Sequence, residues 1–130
     1  GILAPVDGTL GMLYGERTDS ATGNVKIHKG IDISLKEAGN VKAALEGVVA
    51  ATGSSPEYGA YIEIRHSKDL KTVYANCSSI NASEGDYVKR GDIIAGIGGA
   101  GALAGSHLHF EVWVAGAAAD PLEYISVPVG

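Results

Sequence analysis

The chain has 130 residues, 45% of them hydrophobic, and 15 acidic against 10 basic side chains give it a formal net charge of −5. That length and apolar content are enough for one domain with a packed core, and the scattered negative charge excludes nucleic acid and anionic membrane surfaces as partners. The single cysteine, Cys77, rules out an internal disulfide or a multi-cysteine metal cluster, and 19 glycines favour short strands and tight turns over helices.

No apolar stretch reaches the length of a membrane span, and no secretory leader opens the chain. The opening GILAPVDG reads as a boundary inside a longer protein, with residues 1–130 forming one domain. Further on, VKAAL (41–45) and GVVAAT (47–52) read as two short strands around Glu46 and Gly47. AYIEIRH (60–66) alternates, with Ile62, Ile64 and His66 on one face. The polar turn SKDL then leads into KTVYANCSS (71–79), a hairpin signal. DYVKRGDIIAGIG (86–98) supplies two more apolar runs. LHFEVWV (108–114) alternates again, with His109, Glu111 and Trp113 on one side and Leu108, Phe110, Val112 and Val114 on the other. One short helical turn is expected near DPLEYI (120–125).

These elements predict an all-β fold of short antiparallel strands, a sandwich or a partly open barrel. VKAALEGVVAATG and VKRGDIIAGIGGAG each contain Val-Lys, a glycine-bearing turn, an apolar pair and a glycine-rich exit, which suggests an internal duplication. GGAGALAGS (98–106) lacks a Walker lysine and GxGxxG spacing, so it reads as a surface loop rather than a phosphate cradle.

Two of the four histidines stand two apart, at His107 and His109. In a strand both project to one side, about 6.6 Å apart at Cα. Such a pair either ligates a metal through neutral imidazole or places one packed and one exposed histidine. KIHKGIDIS (26–34) adds His28 and Asp32, which full extension would hold about 13 Å apart, with Gly30 between them allowing the chain to bend. Two nitrogens and one carboxylate leave a fourth position for water, the composition of a catalytic rather than a structural zinc site.

In order along the chain, HKGIDIS, VKAALEGVV, YGAYIEIRH, TVYANCSSI, GDYVKRGDIIAGIG, GSHLHFEV and DPLEY resemble the lysostaphin-type zinc peptidases. The resemblance runs from about GTLGMLYGERTD to DPLEYI. It implies an all-β peptidase domain built on the duplicated motif, with a narrow groove over a central antiparallel sheet. It also implies an enzyme of the bacterial envelope or exterior that cleaves peptidoglycan cross-link peptides. By position, His28, Asp32 and His109 become the Zn²⁺ ligands, and His107 stands beside the metal-bound water and the developing oxyanion. The partner is then a peptidoglycan peptide or a protein, with no membrane contact by this domain, and the expected state is a monomer.

Asn76 departs from the family pattern. The stretch matching TVYANCSSI usually reads Tyr-Ala-His-Leu there, and its histidine is the second catalytic imidazole. Asparagine donates a hydrogen bond to an oxyanion but does not exchange a proton at neutral pH. Turnover is therefore open, with an inactive zinc-binding relative as the alternative to an enzyme. His66 is expected in a structural, hydrogen-bonded role. Cys77 is expected to be buried and facing away from Asn76. Tyr74 is expected to share the face of Asn76 and line the groove, and Trp113 and Tyr61 to belong to the core or the groove wall. A biotinyl or lipoyl carrier domain fails for want of a lysine at a hairpin tip.

Overall fold

A computed structural model of the chain describes residues 1–98 and 106–130. The strands, in chain order, are β1 (Thr9–Leu10), β2 (Gly15–Thr18), β3 (Val25–His28), β4 (Ile31–Leu35), β5 (Gly39–Lys42) and β6 (Gly47–Ser55). They continue as β7 (Gly59–Ser67), β8 (Leu70–Cys77), β9 (Ser79–Ile80), β10 (Tyr87–Val88), β11 (Ile93–Ile97), β12 (Ser106–Val114) and β13 (Ala117–Ala119). A 3₁₀ turn over Pro121–Glu123 completes the described elements, capped by the Asp120 carboxylate, which accepts the Leu122 N–H at 3.0 Å. No helix among the described residues is long and apolar enough to cross a membrane. Residues 99–105 of the expected GGAGALAGS loop lie outside the described residues.

The fold is all-β, as the alternation predicts. One large antiparallel sheet runs β1-β4-β12-β8-β7-β6-β10, with β13 added beside β12, and a small sheet runs β5-β11-β9. β2 and β3 form a separate hairpin. The sheets pack face to face without closing into a barrel. Val41, Ile94 and Ile97 of the small sheet meet Ile31, Ile33, Ile62, Ile64, Tyr74, Leu108 and Phe110 of the large one in a single core. Each fully buried aliphatic or aromatic side chain contributes roughly 1.5–3 kcal/mol through removal of apolar surface from water.

The two similar sequence units occupy matching places. The first yields β5 and β6, the second β10 and β11, and each pairs crosswise with the other: β5 with β11, and β6 with β10. The turns interlock too, Ala43 exchanging backbone hydrogen bonds with Asp92 and Gly91 at 2.8 Å.

β12 presents Leu108, Phe110 and Val112 to the core, leaving His107, His109, Glu111 and Trp113 on the opposite side. β4 alternates likewise, with Ile31 and Ile33 inward and Asp32 outward. β8 breaks the rule. Asn76 takes a left-handed backbone with φ 65°, a region that asparagine tolerates better than most residues. The strand phase slips there, so Tyr74 and Cys77, three apart, both join the core. Tyr74 therefore does not line the groove as expected; it is fully buried against Phe110, with ring centroids 5.4 Å apart.

Candidate metal centre

Three strands bring His28, Asp32 and His109 together. β3 ends on His28, and antiparallel pairing of β4 with β12 sets Asp32 directly opposite His109. Asp32 Oδ1 lies 3.0 Å from His109 Nδ1 and 3.3 Å from His28 Nε2. The three donor atoms all fall within 4.8 Å of one another. The turn between β3 and β4 depends on Gly30 through space, since a Cβ there would run into the Phe110 carbonyl and stand 2.9 Å from Glu111 Cγ. Gly30 lies outside the positive-φ range, so close approach explains the glycine, not a special bend.

Hydrogen bonds set both imidazole tautomers. His28 Nδ1 is 2.8 Å from the Leu13 carbonyl, which only accepts, so Nδ1 carries the proton and the Nε2 lone pair faces Asp32. His109 Nε2 donates to Glu111 Oε2 at 2.8 Å, which turns Nδ1 toward Asp32. Burial alone would lower the His109 pKa, but its hydrogen bonds to Asp32 and Glu111 and their charges raise it to about 9. Burial would raise the Asp32 pKa, yet the His109 hydrogen bond and the neighbouring imidazoles hold it below the usual carboxylate value. Two imidazole nitrogens and a carboxylate oxygen converge here, a donor set that matches the ligand preferences of zinc once His109 Nδ1 yields the proton it shares with Asp32.

The cluster opens into a groove of about 410 Å³, whose walls include His107, Asn76 and Tyr58. His107 is exposed there. Asn76 Nδ2 donates to the His107 carbonyl at 2.8 Å, and Asn76 N–H donates to the Tyr58 carbonyl at 2.7 Å. Behind His109 lies Glu111, only 1% exposed, and its carboxylate also accepts from Tyr58 and Trp113.

Residues 26–121, which span the HxxxD and HxH pairs, match peptidase family M23. The chain belongs to that family. Peptidoglycan DD-endopeptidase ShyB of Vibrio cholerae is 35% identical to it over 108 residues, 83% of this chain and 25% of ShyB. A zinc-containing peptidase from Vibrio cholerae superposes with TM-score 0.85 at 32% identity, covering 98% of this chain and 40% of that one. The catalytic domain of lysostaphin from Staphylococcus simulans gives TM-score 0.74 at 29% identity over 90% of this chain and 91% of the domain. SpoIIQ, solved in a pore-forming complex with SpoIIIAH, gives TM-score 0.80 at 26% identity over 99% of this chain and 93% of that one. The lysostaphin-type resemblance is thus sound, and this M23 chain spans about a quarter of the length of the first curated relatives it matches.

The remaining residues singled out from the sequence sort themselves around the M23 groove. Cys77 is buried in the core, and burial pushes its thiol up to about 11. His66 sits away from the groove, its Nδ1 donating to the Glu46 carbonyl and its Nε2 accepting from the Thr72 hydroxyl, both at 2.7 Å. Trp113 stands on the groove face and is flanked by Lys29 and Lys71, 5.9 and 5.1 Å from its ring. Tyr61 packs edge-on against Tyr58, ring centroids 5.6 Å apart. Sequence reasoning missed the convergence of Tyr58 and Glu111. Alternation of β12 places Glu111 on the histidine side, but nothing in the order of residues announces that the β6–β7 turn carries Tyr58 to it.

Proposed function

We propose that this domain is a zinc-dependent endopeptidase acting on peptidoglycan cross-link peptides, with His28, Asp32 and His109 as zinc ligands. The observation that carries the reading is the convergence of His28 Nε2, Asp32 Oδ1 and His109 Nδ1 at the floor of an open groove that also holds His107. Bound there, zinc supplies a Lewis acid for the scissile carbonyl and an activated water. His107, exposed on the same strand face as His109, is the imidazole available to move a proton at the substrate or to donate to its oxyanion. The Asn76 amide, tied to the His107 carbonyl at 2.8 Å, lines the same groove but exchanges no proton, so one imidazole does the work that two share in the family pattern. Removal of one such stabilising group slows an enzyme by roughly 10²–10³-fold. On this reading the domain works in the bacterial envelope or outside the cell, as a monomer.

Asn76 also favours a second reading, in which the groove binds wall peptide or a protein partner without cleaving it. The overlay on SpoIIQ, solved in complex with SpoIIIAH, supports that alternative. Incubation of the zinc-loaded domain with purified peptidoglycan of several cross-link types, followed by mass analysis, separates the two. Metal-dependent release of peptide fragments is expected; binding without products on every wall type would replace the enzyme with the binding module.

A further inference from the structure

We infer that Glu111 is a positioning residue for the metal centre, a buried carboxylate that holds His109 with Nδ1 presented to Asp32 and His28; the inference rests on the zinc reading above. Glu111 has no solvent to lean on, being 1% exposed. Its two oxygens take every hydrogen bond on offer from three different side chains. Oε2 accepts from His109 Nε2 at 2.8 Å and Oε1 from Trp113 Nε1 at 2.7 Å. The Tyr58 hydroxyl reaches both oxygens, at 2.9 and 3.0 Å. Tyr58 also stacks on the His109 ring, centroids 6.0 Å apart and planes 28° from parallel, so it restrains the imidazole both directly and through the carboxylate.

A buried carboxylate is a poor choice for packing alone, because an apolar side chain of similar volume commonly serves stability at least as well. The interior side of the sheet makes that choice elsewhere on β12, with Leu108, Phe110 and Val112. What an apolar residue at 111 would lack is the acceptor for His109 Nε2–H. Without it, either nitrogen of His109 is free to carry the proton, and only the Asp32 contact still orients the ring from a side chain that accepts. Outer carboxylates of this kind raise the basicity of a ligating imidazole and fix its tautomer, and their loss weakens metal binding by roughly 10–100-fold.

The test uses Glu111→Gln and the milder Tyr58→Phe, which leaves the His109–Glu111 bond in place. Zinc affinity is measured by competition with a chromophoric chelator, and the His109 ring nitrogens are followed by long-range proton–nitrogen NMR in the zinc-loaded proteins. E111Q, whose neutral amide oxygen accepts more weakly than a carboxylate, is expected to bind zinc about 10–100-fold more weakly and to move the low-field Nε2–H signal upfield; Y58F falls between E111Q and the parent. A purely structural role would change unfolding without moving that signal. If the parent binds zinc, and both variants match its affinity and keep the signal, the positioning role is overturned while the zinc reading stands. Should E111Q not fold, Glu111→Asp, which draws the carboxylate back from His109 Nε2 while keeping its charge, takes its place, and parental affinity with an unmoved signal then overturns the positioning role. A parent that takes up no zinc overturns both readings.

Discussion

Two half-buried histidines, His66 and His109, lie toward opposite ends of β8, and each has both ring nitrogens hydrogen-bonded. The partners of His66 are a backbone carbonyl and a hydroxyl, neither charged. Burial therefore dominates, and its pKa is lowered although the Glu46 carbonyl opposes the shift. The partners of His109 are two carboxylates, which overcome burial and raise its pKa to about 9. One residue type in two polar networks thus does two jobs. The His66 network runs Ala44 N–H to Tyr74 Oη, Tyr74 O–H to Thr72 and Thr72 O–H to His66, a single direction of donation that leaves no group unsatisfied. It fastens the core. The His109 network is acceptor-rich and faces a groove, an arrangement that suits a cation.

The sharpest break of that comparison is His109→Ala, which removes a ligand outright. Its zinc affinity should fall by more than the roughly 10–100-fold loss typical of an outer partner, leaving it largely empty in metal analysis, while His107→Ala keeps its zinc. The reverse result would exchange the roles assigned to the pair. Asn76→His comes next. Histidine also tolerates a left-handed backbone, so the variant should fold, hold zinc as the parent does, and hydrolyse a susceptible cross-link roughly 10²-fold faster, about 2.7 kcal/mol of transition-state stabilisation. An unchanged rate would point to a diverged groove.

Thr72→Val tests the other end. It strips the donor from His66 and the acceptor from Tyr74 in a fully buried place, and should destabilise the fold by roughly 1–3 kcal/mol in denaturant titration without touching zinc affinity. The smallest effect is the pH dependence of the metal-stripped protein. His109, raised in the folded state, lends stability that is complete below its unfolded value of about 6.5 and disappears as pH climbs through about 9. His66, lowered, does the opposite: its contribution is complete above about 6.5 and is lost on acidification through its folded value. Denaturation midpoints of the parent should therefore decline on both sides of neutrality, the alkaline limb vanishing in His109→Ala and the acid limb easing in a His66 variant.

Much of this is readable in the residue order, because period-two alternation carries side-chain direction with it. LHFEVWV assigns inner and outer faces to β12 almost without error, and the matching units at 41 and 88 announce a duplication, though not its crosswise pairing. What escapes are contacts fixed by three-dimensional approach. Regular alternation links Tyr74 to Asn76 and so predicts it at the groove, and a single left-handed residue cancels that link. VKAAL reads as a strand through residue 45, whereas β5 ends at Lys42, since Ala43 spends its hydrogen bonds on the turn at Gly91 and Asp92. The β2–β3 hairpin, whose Val25 and Ile27 are exposed, shows no buried-face alternation to betray it.

The crosswise pairing of the two similar units also bears on how the chain assembles. β5 has to wait for β11, and although β6 pairs at once with its neighbour β7, its outer edge waits for β10, so neither unit is completed from local sequence. Ordering of this long-range kind comes late, after a long loop has been closed, and slows folding relative to simple hairpins. A chain severed between β9 and β10 should yield two pieces, neither of which holds the native fold alone, that recover the native sheet when mixed.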